Sequence, residues 1–209
     1  MYPSDCPKGW KYEDHPDRAI LTQRTQALLA LIRSQKNDTL RTASDSRSQH
    51  GFLFNGLTPP GCDYFAGHYR GENFHCLRFY PVVVPADPRV GAHPSAVEYL
   101  MSELRAQLRS GLLALDANVA LSPKQRLQYI VVLACSVFVN FLTIHPYANG
   151  NGHAGRLIVW CITGRYGFWP KNWPIEPRPP DPPYSDMIRV YRDGNREPLE
   201  MLILQTLVN

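Results

Sequence analysis

From Tyr129 to Ile144 the chain is apolar almost throughout, with Ser136 and Asn140 inside the run. Leu127, Ile130, Val131, Leu133, Ala134, Val137, Phe138, Phe141 and Leu142 fall around most of a helical circumference. A helix apolar nearly all round belongs at the centre of a core. Ser122-Pro123 marks its start, with Ser as N-cap and Pro at the first helical position, and the pattern predicts an end near Ile144. The apolar run is shorter than the ~20 residues that a bilayer span requires, so a buried core helix is expected and no membrane partner.

Other periodic stretches flank it. Ile20, Leu21, Leu28, Leu29, Leu31 and Ile32 predict a helix over Asp17–Gln35. Val97, Leu100, Met101, Leu104 and Leu108 make an apolar stripe over Pro94–Leu115, opened by a Ser95–Glu98 capping box. Leu157, Ile158, Trp160, Cys161 and Ile162 predict a helix over Gly152–Tyr166, and shorter ones are expected near 184–193 and 197–207. Residues 1–16 read as an irregular lead-in. Residues 37–61 are polar and rich in Ser, Thr and Gly, and read as loop or broken helix closed by Pro59-Pro60-Gly61. Residues 168–183 form a Pro/Trp-rich connection. Phe74–Val84 is the one β-branched and aromatic run without helical period, and reads as an extended segment or small hairpin demoted to an edge by Pro81. The expected class is mainly α with one small β element. The expected division is an N-terminal extension with one helix over 1–60 and the main domain over 61–209.

The 209 residues suffice for a full core, and a hydrophobic fraction of 44% is ordinary for a globular protein. The net charge of +4 is diffuse and forms no basic block, so charge does not imply nucleic acid. Residues 1–10 lack a signal-peptide core. The five cysteines are odd in number and none has C-x-x-C spacing, which reads as a reducing compartment and a cytoplasmic location.

The candidate chemistry is concentrated between the two most apolar helices, in His145-Pro146-Tyr147-Ala148-Asn149-Gly150-Asn151-Gly152-His153-Ala154-Gly155-Arg156. Gly150 and Gly152 free the backbone for positive φ, and alternation of that kind aims N–H groups into an anion-binding nest. A helix N-terminus adds its own free N–H groups and dipole. Arg156, one turn later, adds a forked contact to phosphate. His145 stands on the end of a rigid helix beside this anion site, where an imidazole suits general-base work. Asn149 offers a carbonyl oxygen to Mg²⁺ held on phosphates. A zinc site from His145 and His153 lacks further ligands, and Cys135 and Cys161 sit on apolar faces.

This stretch resembles the signature of the Fic/Doc family, H-P-F-x-[D/E]-G-N-G-R-x-x-R. His145, Pro146, Gly150, Asn151, Gly152 and Arg156 match, and Tyr147 stands for Phe. Gly67-His68-Tyr69-Arg70-Gly71 is similar to the segment that precedes the family's β-hairpin flap. The resemblance implies a Fic-type helical bundle with such a flap. It implies nucleotidyl transfer, AMP from Mg-ATP in the usual case, to a hydroxyl of a protein. Carried over, His145 is the base, and Gly150, Asn151 and Gly152 are the anion hole. Arg156 holds the distal phosphate, and His153 also contacts phosphate. Asn149 holds Mg²⁺, and Phe79, Tyr80, Val82 and Val83 are the flap that aligns the target. The alternatives are a Doc-like phosphotransferase and a non-catalytic Fic-fold module that binds nucleotide or partners.

Two positions depart from the pattern. Asn149 replaces an acid and lacks its charge. His153 replaces an Arg and lacks the bidentate grip. Many members also carry an inhibitory helix, [S/T]-x-x-x-E-[G/N]. Ser46-Arg47-Ser48-Gln49-His50-Gly51 has that spacing with His50 in place of Glu. On this resemblance the chain is uninhibited or is restrained by a partner in trans.

Overall fold

The computed structural model describes residues 2–34 and 38–208. The elements in order are α1 (Ile20–Arg33), α2 (Thr39–Ser44), α3 (Arg47–Phe54), α4 (Val97–Ala117), α5 (Pro123–Ile144), α6 (Asn151–Gly164), α7 (Tyr184–Arg192) and α8 (Glu197–Val208). The predicted end of the first helix, Gln35, lies outside the described residues.

Helix α5 begins as its sequence predicts. Ser122 Oγ accepts from the N–H of Gln125, and Gln125 Oε1 accepts from the N–H of Ser122, with Pro123 at the first helical position. Ile130, Val131, Ala134, Cys135, Val137, Phe138, Val139, Phe141 and Ile144 are buried along it. It packs against α6 on one side and against α4 and α8 on others, while α2 covers α6. Its composition alone would allow a membrane crossing. Helix α6 is more enclosed still, because every residue from His153 to Gly164 is buried. The loop between them is therefore held at both ends by the core.

The expected Ser95–Glu98 capping box does not form. A 3₁₀ turn at Pro94–Ala96 precedes α4, and the ring of His93 accepts from the N–H of Ser95 instead. Of the two readings of the polar stretch after Asn37, the broken helix is the one found, as two short helices in succession. Asp38 caps α2 by accepting from the N–H groups of Leu40 and Arg41. Helix α3 buries His50, Leu53 and Phe54. Neither helix is long enough to display a period, and their apolar faces are only a few residues wide.

The predicted β-hairpin flap is not found: among the described residues there is no strand. Residues 80–84 carry no regular secondary structure. Tyr80 is buried, Val82 is half-buried, and Phe79 and Val83 face solvent, Val83 being 80% exposed. Pro81 and Pro85 remove two donors from the run, and the carbonyl of Tyr80 is taken by Arg70, so too few groups remain for a hairpin.

The cysteine reading also changes. Cys6 and Cys76 form a disulfide across a separation of 70 residues, while Cys62, Cys135 and Cys161 are free and buried. The cross-link carries the N-terminal segment onto the body of the bundle. There Trp10 donates through Nε1 to the carbonyl of Leu57, and its N–H donates to Tyr80 Oη. Cys6, Trp10, Tyr12, Leu21, Leu28, Leu53 and Phe54 belong to the same buried cluster as α5 and α6, so the core runs without a break across residue 60.

Candidate active site

The loop that joins α5 to α6 is built by its own side chains. Asn151 Oδ1 accepts from the N–H of Tyr147 and its Nδ2 donates to the carbonyl of Tyr147, both at 2.9 Å. The side chain of Asn151 thus staples the loop. Tyr147 is fully buried; its hydroxyl lies 2.9 Å from Ser46 Oγ, and its ring stacks on His50.

His50 supports the loop from beneath. Its Nδ1 accepts from the N–H of Gly67 at 3.0 Å, which places the proton on Nε2, and Nε2 donates to the carbonyl of Asn149 at 2.9 Å. Burial pushes its pKa down to about 3. The Ser46–Gly51 segment that has the spacing of the inhibitory motif is a wall of the core here, and its His50 is bonded to Asn149 and Gly67.

Gly150 has φ of 76°, and a Cβ there would lie 2.4 Å from the ring of Phe54. Only glycine fits. Gly152 takes ordinary helical backbone in the first turn of α6, so the expected alternating nest reduces to one left-handed residue followed by a helix start. What Gly152 provides is room: an added Cβ would sit 3.0 Å from Nη1 of Arg156. Among the described residues no side chain caps the first turn of α6. Its leading N–H groups thus remain available for an anion.

Arg156 is buried, and its Nε and Nη2 donate to the carbonyl of Ile175 at 3.2 and 2.7 Å. Trp173 donates to the carbonyl of Arg156, and Trp160 donates to that of Trp173. These bonds lay the Pro/Trp-rich connection along α6 and bring Glu176 over its N-terminus. The residues between fold into a cavity of about 830 Å³, lined by His145, Asn149, Gly152, His153, Arg156 and Glu176 among others. That volume suits a nucleotide-sized ligand.

His145 is the C-cap of α5 and the one described non-glycine residue with positive φ, 56°. That conformation costs about 1 kcal/mol or more for an L-residue. Its Nδ1 donates to the carbonyl of Leu142 at 3.4 Å, leaving the lone pair on Nε2. Burial, then the positive charges of Arg70 and Arg192, push its pKa down to about 4. The ring is neutral at physiological pH and able to accept a proton.

The two departing positions are both occupied. Asn149 Nδ2 donates to the carbonyl of Trp10 at 2.7 Å and approaches Glu13 Oε2 at 3.4 Å; its Oδ1 accepts from the N–H of Gly150. His153 Nε2 donates to Glu176 Oε2 at 2.7 Å. The ring lies edge-on to Tyr12 and Phe54. Burial lowers the pKa of His153 despite the carboxylate, and the hydrogen bond from His153 holds Glu176 below its ordinary value. The pair therefore carries one negative charge into the cavity.

The named flap residues do not reach the cavity, although the chain just after them does. Val84, Ala86, Asp87 and Val90 line the cavity, whereas Phe79, Tyr80, Val82 and Val83 do not. Tyr12, Glu13 and Glu176 were not foreseen, since each reaches the loop from a distant segment. Arg70 lies in a motif that the sequence does display, but nothing local reveals what its side chain touches.

The family model for the Fic/DOC family matches residues 41–162. Two solved structures share the fold. One is the BepC protein, a VirB-translocated effector from Bartonella tribocorum with bound AMPPNP. It has 18% identity and a TM-score of 0.61 over 91% of this chain and 87% of that one. The other is the N-terminal Fic domain of a putative cell filamentation protein, a VirB-translocated Bep effector from Bartonella quintana. It has 17% identity and a TM-score of 0.56 over 93% of this chain and 85% of that one. No curated protein matches.

Proposed function

Because the chain belongs to the Fic/DOC family, we propose that it is a Mg²⁺-dependent transferase that moves AMP from ATP onto a hydroxyl of a protein. The observation that carries the reading is that a neutral His145, with its lone pair on Nε2, lines the same cavity as the start of α6 and Arg156. Nucleotide binding is supported further by the AMPPNP in the BepC structure.

In this reading the first turn of α6 and Arg156 hold the phosphates by backbone N–H groups and a guanidinium. The hydroxyl oxygen of the target attacks the α-phosphorus, and a new P–O bond forms as pyrophosphate leaves. His145 Nε2 takes the hydroxyl proton. Residues 79–84, although they form no hairpin, are the segment beside which a target chain would lie. The donor set fits a Mg²⁺ that arrives on the phosphates, because Asn149 Oδ1 is one neutral oxygen and a largely hydrated ion needs few protein ligands. Bound there, Mg²⁺ would neutralise phosphate charge.

Incubation with labelled ATP and a cell lysate should label a protein band, and His145→Ala should abolish it. Absence of label with every nucleoside triphosphate would overturn the assignment. A second reading, a nucleotide-binding module without turnover, is favoured by the His153–Glu176 pair, which puts a carboxylate where the family has a phosphate-binding Arg. Tight binding of Mg-ATP in a calorimeter together with no labelling would select it.

A further inference from the structure

Arg70 is fully buried, and its guanidinium donates only to backbone carbonyls. Nε reaches the carbonyl of His145 at 2.8 Å, Nη1 that of Tyr80 at 3.2 Å, and Nη2 those of Ala92 and Ile144 at 3.1 Å each. Its own N–H donates to the carbonyl of Pro146 at 2.8 Å. The N–H groups of Gly91 and Ala92 donate to the carbonyls of Thr143 and Ile144. The carbonyls of Thr143 and Ile144 at the end of α5, and those of His145 and Pro146 just beyond it, are thus met by the 70 or the 91–92 segment.

This arrangement is expensive. A buried cation bonded only to neutral carbonyls gains no ion pair to offset its desolvation, and apolar replacements of buried charges are often neutral or stabilising. Burial lowers the pKa of Arg70 to about 10, so it remains charged at neutral pH. What the guanidinium achieves, and an apolar side chain would not, is geometric. Its planar fork ties the left-handed backbone of His145 to Tyr80, the first residue of the 80–84 segment.

We propose that Arg70 is a positioning residue that fixes the proton-accepting His145 and the target-aligning 80–84 segment in one frame. Its loss would therefore impair transfer and leave nucleotide binding nearly intact. The inference rests on the proposed readings of His145 as the base and of the segment from Tyr80 as target-aligning. It does not require Arg70 to touch nucleotide, and Arg70 is not among the residues that line the cavity.

The test compares Arg70→Gln and Arg70→Lys with the parent chain in three measurements: calorimetry with Mg-ATP, labelling of a target protein with ATP, and ¹⁵N NMR of the His145 ring. Affinity within about threefold of the parent is expected for both variants. Transfer should fall by about 100-fold in Arg70→Gln, the size of effect that an ångström of misplacement produces, with partial rescue in Arg70→Lys. The Nδ1–H tautomer of His145 should be lost or mixed in Arg70→Gln. Labelling within threefold of the parent would overturn the proposal, as would a matching loss of affinity. If neither variant folds, Arg70 is a folding residue and the proposal falls. If the parent itself transfers nothing, the proposed function fails, and Arg70 is then judged on the ring resonances alone: a changed tautomer supports it and an unchanged one overturns it.

Discussion

His153 and Glu176 meet at 2.7 Å over the first turn of α6, across 23 residues of sequence. The imidazole donates its Nε2 proton to the carboxylate, so that edge of the ring has no donor left for a phosphate. The carboxylate stays ionised while the buried ring stays neutral. A triphosphate entering this cavity meets net repulsion at a point where a guanidinium would attract it. Glu176→Gln keeps an acceptor for His153 and removes the charge. Affinity for Mg-ATP should rise roughly tenfold, or about 1–2 kcal/mol, for charges a few ångströms apart in a partly buried site. Calorimetry at fixed ionic strength checks this, and unchanged affinity would place the phosphates away from Glu176.

The pH profile of transfer should be nearly flat from about pH 5 to 8. His145 titrates near 4 because burial, Arg70 and Arg192 all disfavour its protonated form. A base already neutral over that range cannot gain activity by losing a proton. Activity should decline only as pH approaches 4. An inflection near 6.5 in the rate with saturating nucleotide would mean that the bound anion restores an ordinary imidazole pKa.

Stability should fall on mild acidification, before most carboxylates titrate. His50 titrates near 3 and His145 near 4 in the folded chain, both chiefly because they are buried. The unfolded chain binds their protons near the ordinary ~6.5. Between those values the unfolded state holds more protons, so stability is complete above pH 6.5 and is lost as pH falls toward 4 and 3. The two groups together should remove about 3–4 kcal/mol between pH 7 and 5. Urea unfolding at the two pH values tests this, with His50→Phe expected to lose part of the dependence.

Reduction of the Cys6–Cys76 disulfide should destabilise the fold by as much as about 4 kcal/mol on the chain-entropy model for a loop of this length. Melting with and without a dithiol, beside a Cys6→Ser, Cys76→Ser double variant, measures it. The thiol content of the protein isolated from its native compartment tests the expected cytoplasmic location as well, because a reducing cytosol would keep both cysteines free.

Much of the scaffold is legible in the sequence because burial on one face repeats with the helical period. That holds for α1, α4, α5 and α6, and a local signal at Ser122-Pro123 marks the start of α5. The chemistry of the loop is legible for a similar reason: His145, Gly150, Gly152 and Arg156 occur within a few residues, and their spacing already implies a helix end, a tight turn and a helix start. Helices α2 and α3 escape because they are too short for a period to register. The same limit explains His50, which the sequence places in a partial motif and the structure places in the core.

The helical bundle, the position of the loop between its two most buried helices, and the residue types brought to bear on an anion can all be read from the chain. Tertiary structure alone decided which side chains those residues meet. Asn149 is met by Trp10 from 139 residues away, the carbonyl of His145 by Arg70 from 75, and Cys76 by Cys6 from 70. Periodicity reports that a face is buried, but it carries no record of what buries it. Such pairings follow from how separate elements pack, and they govern the charge, the tautomers and the free donors of the site.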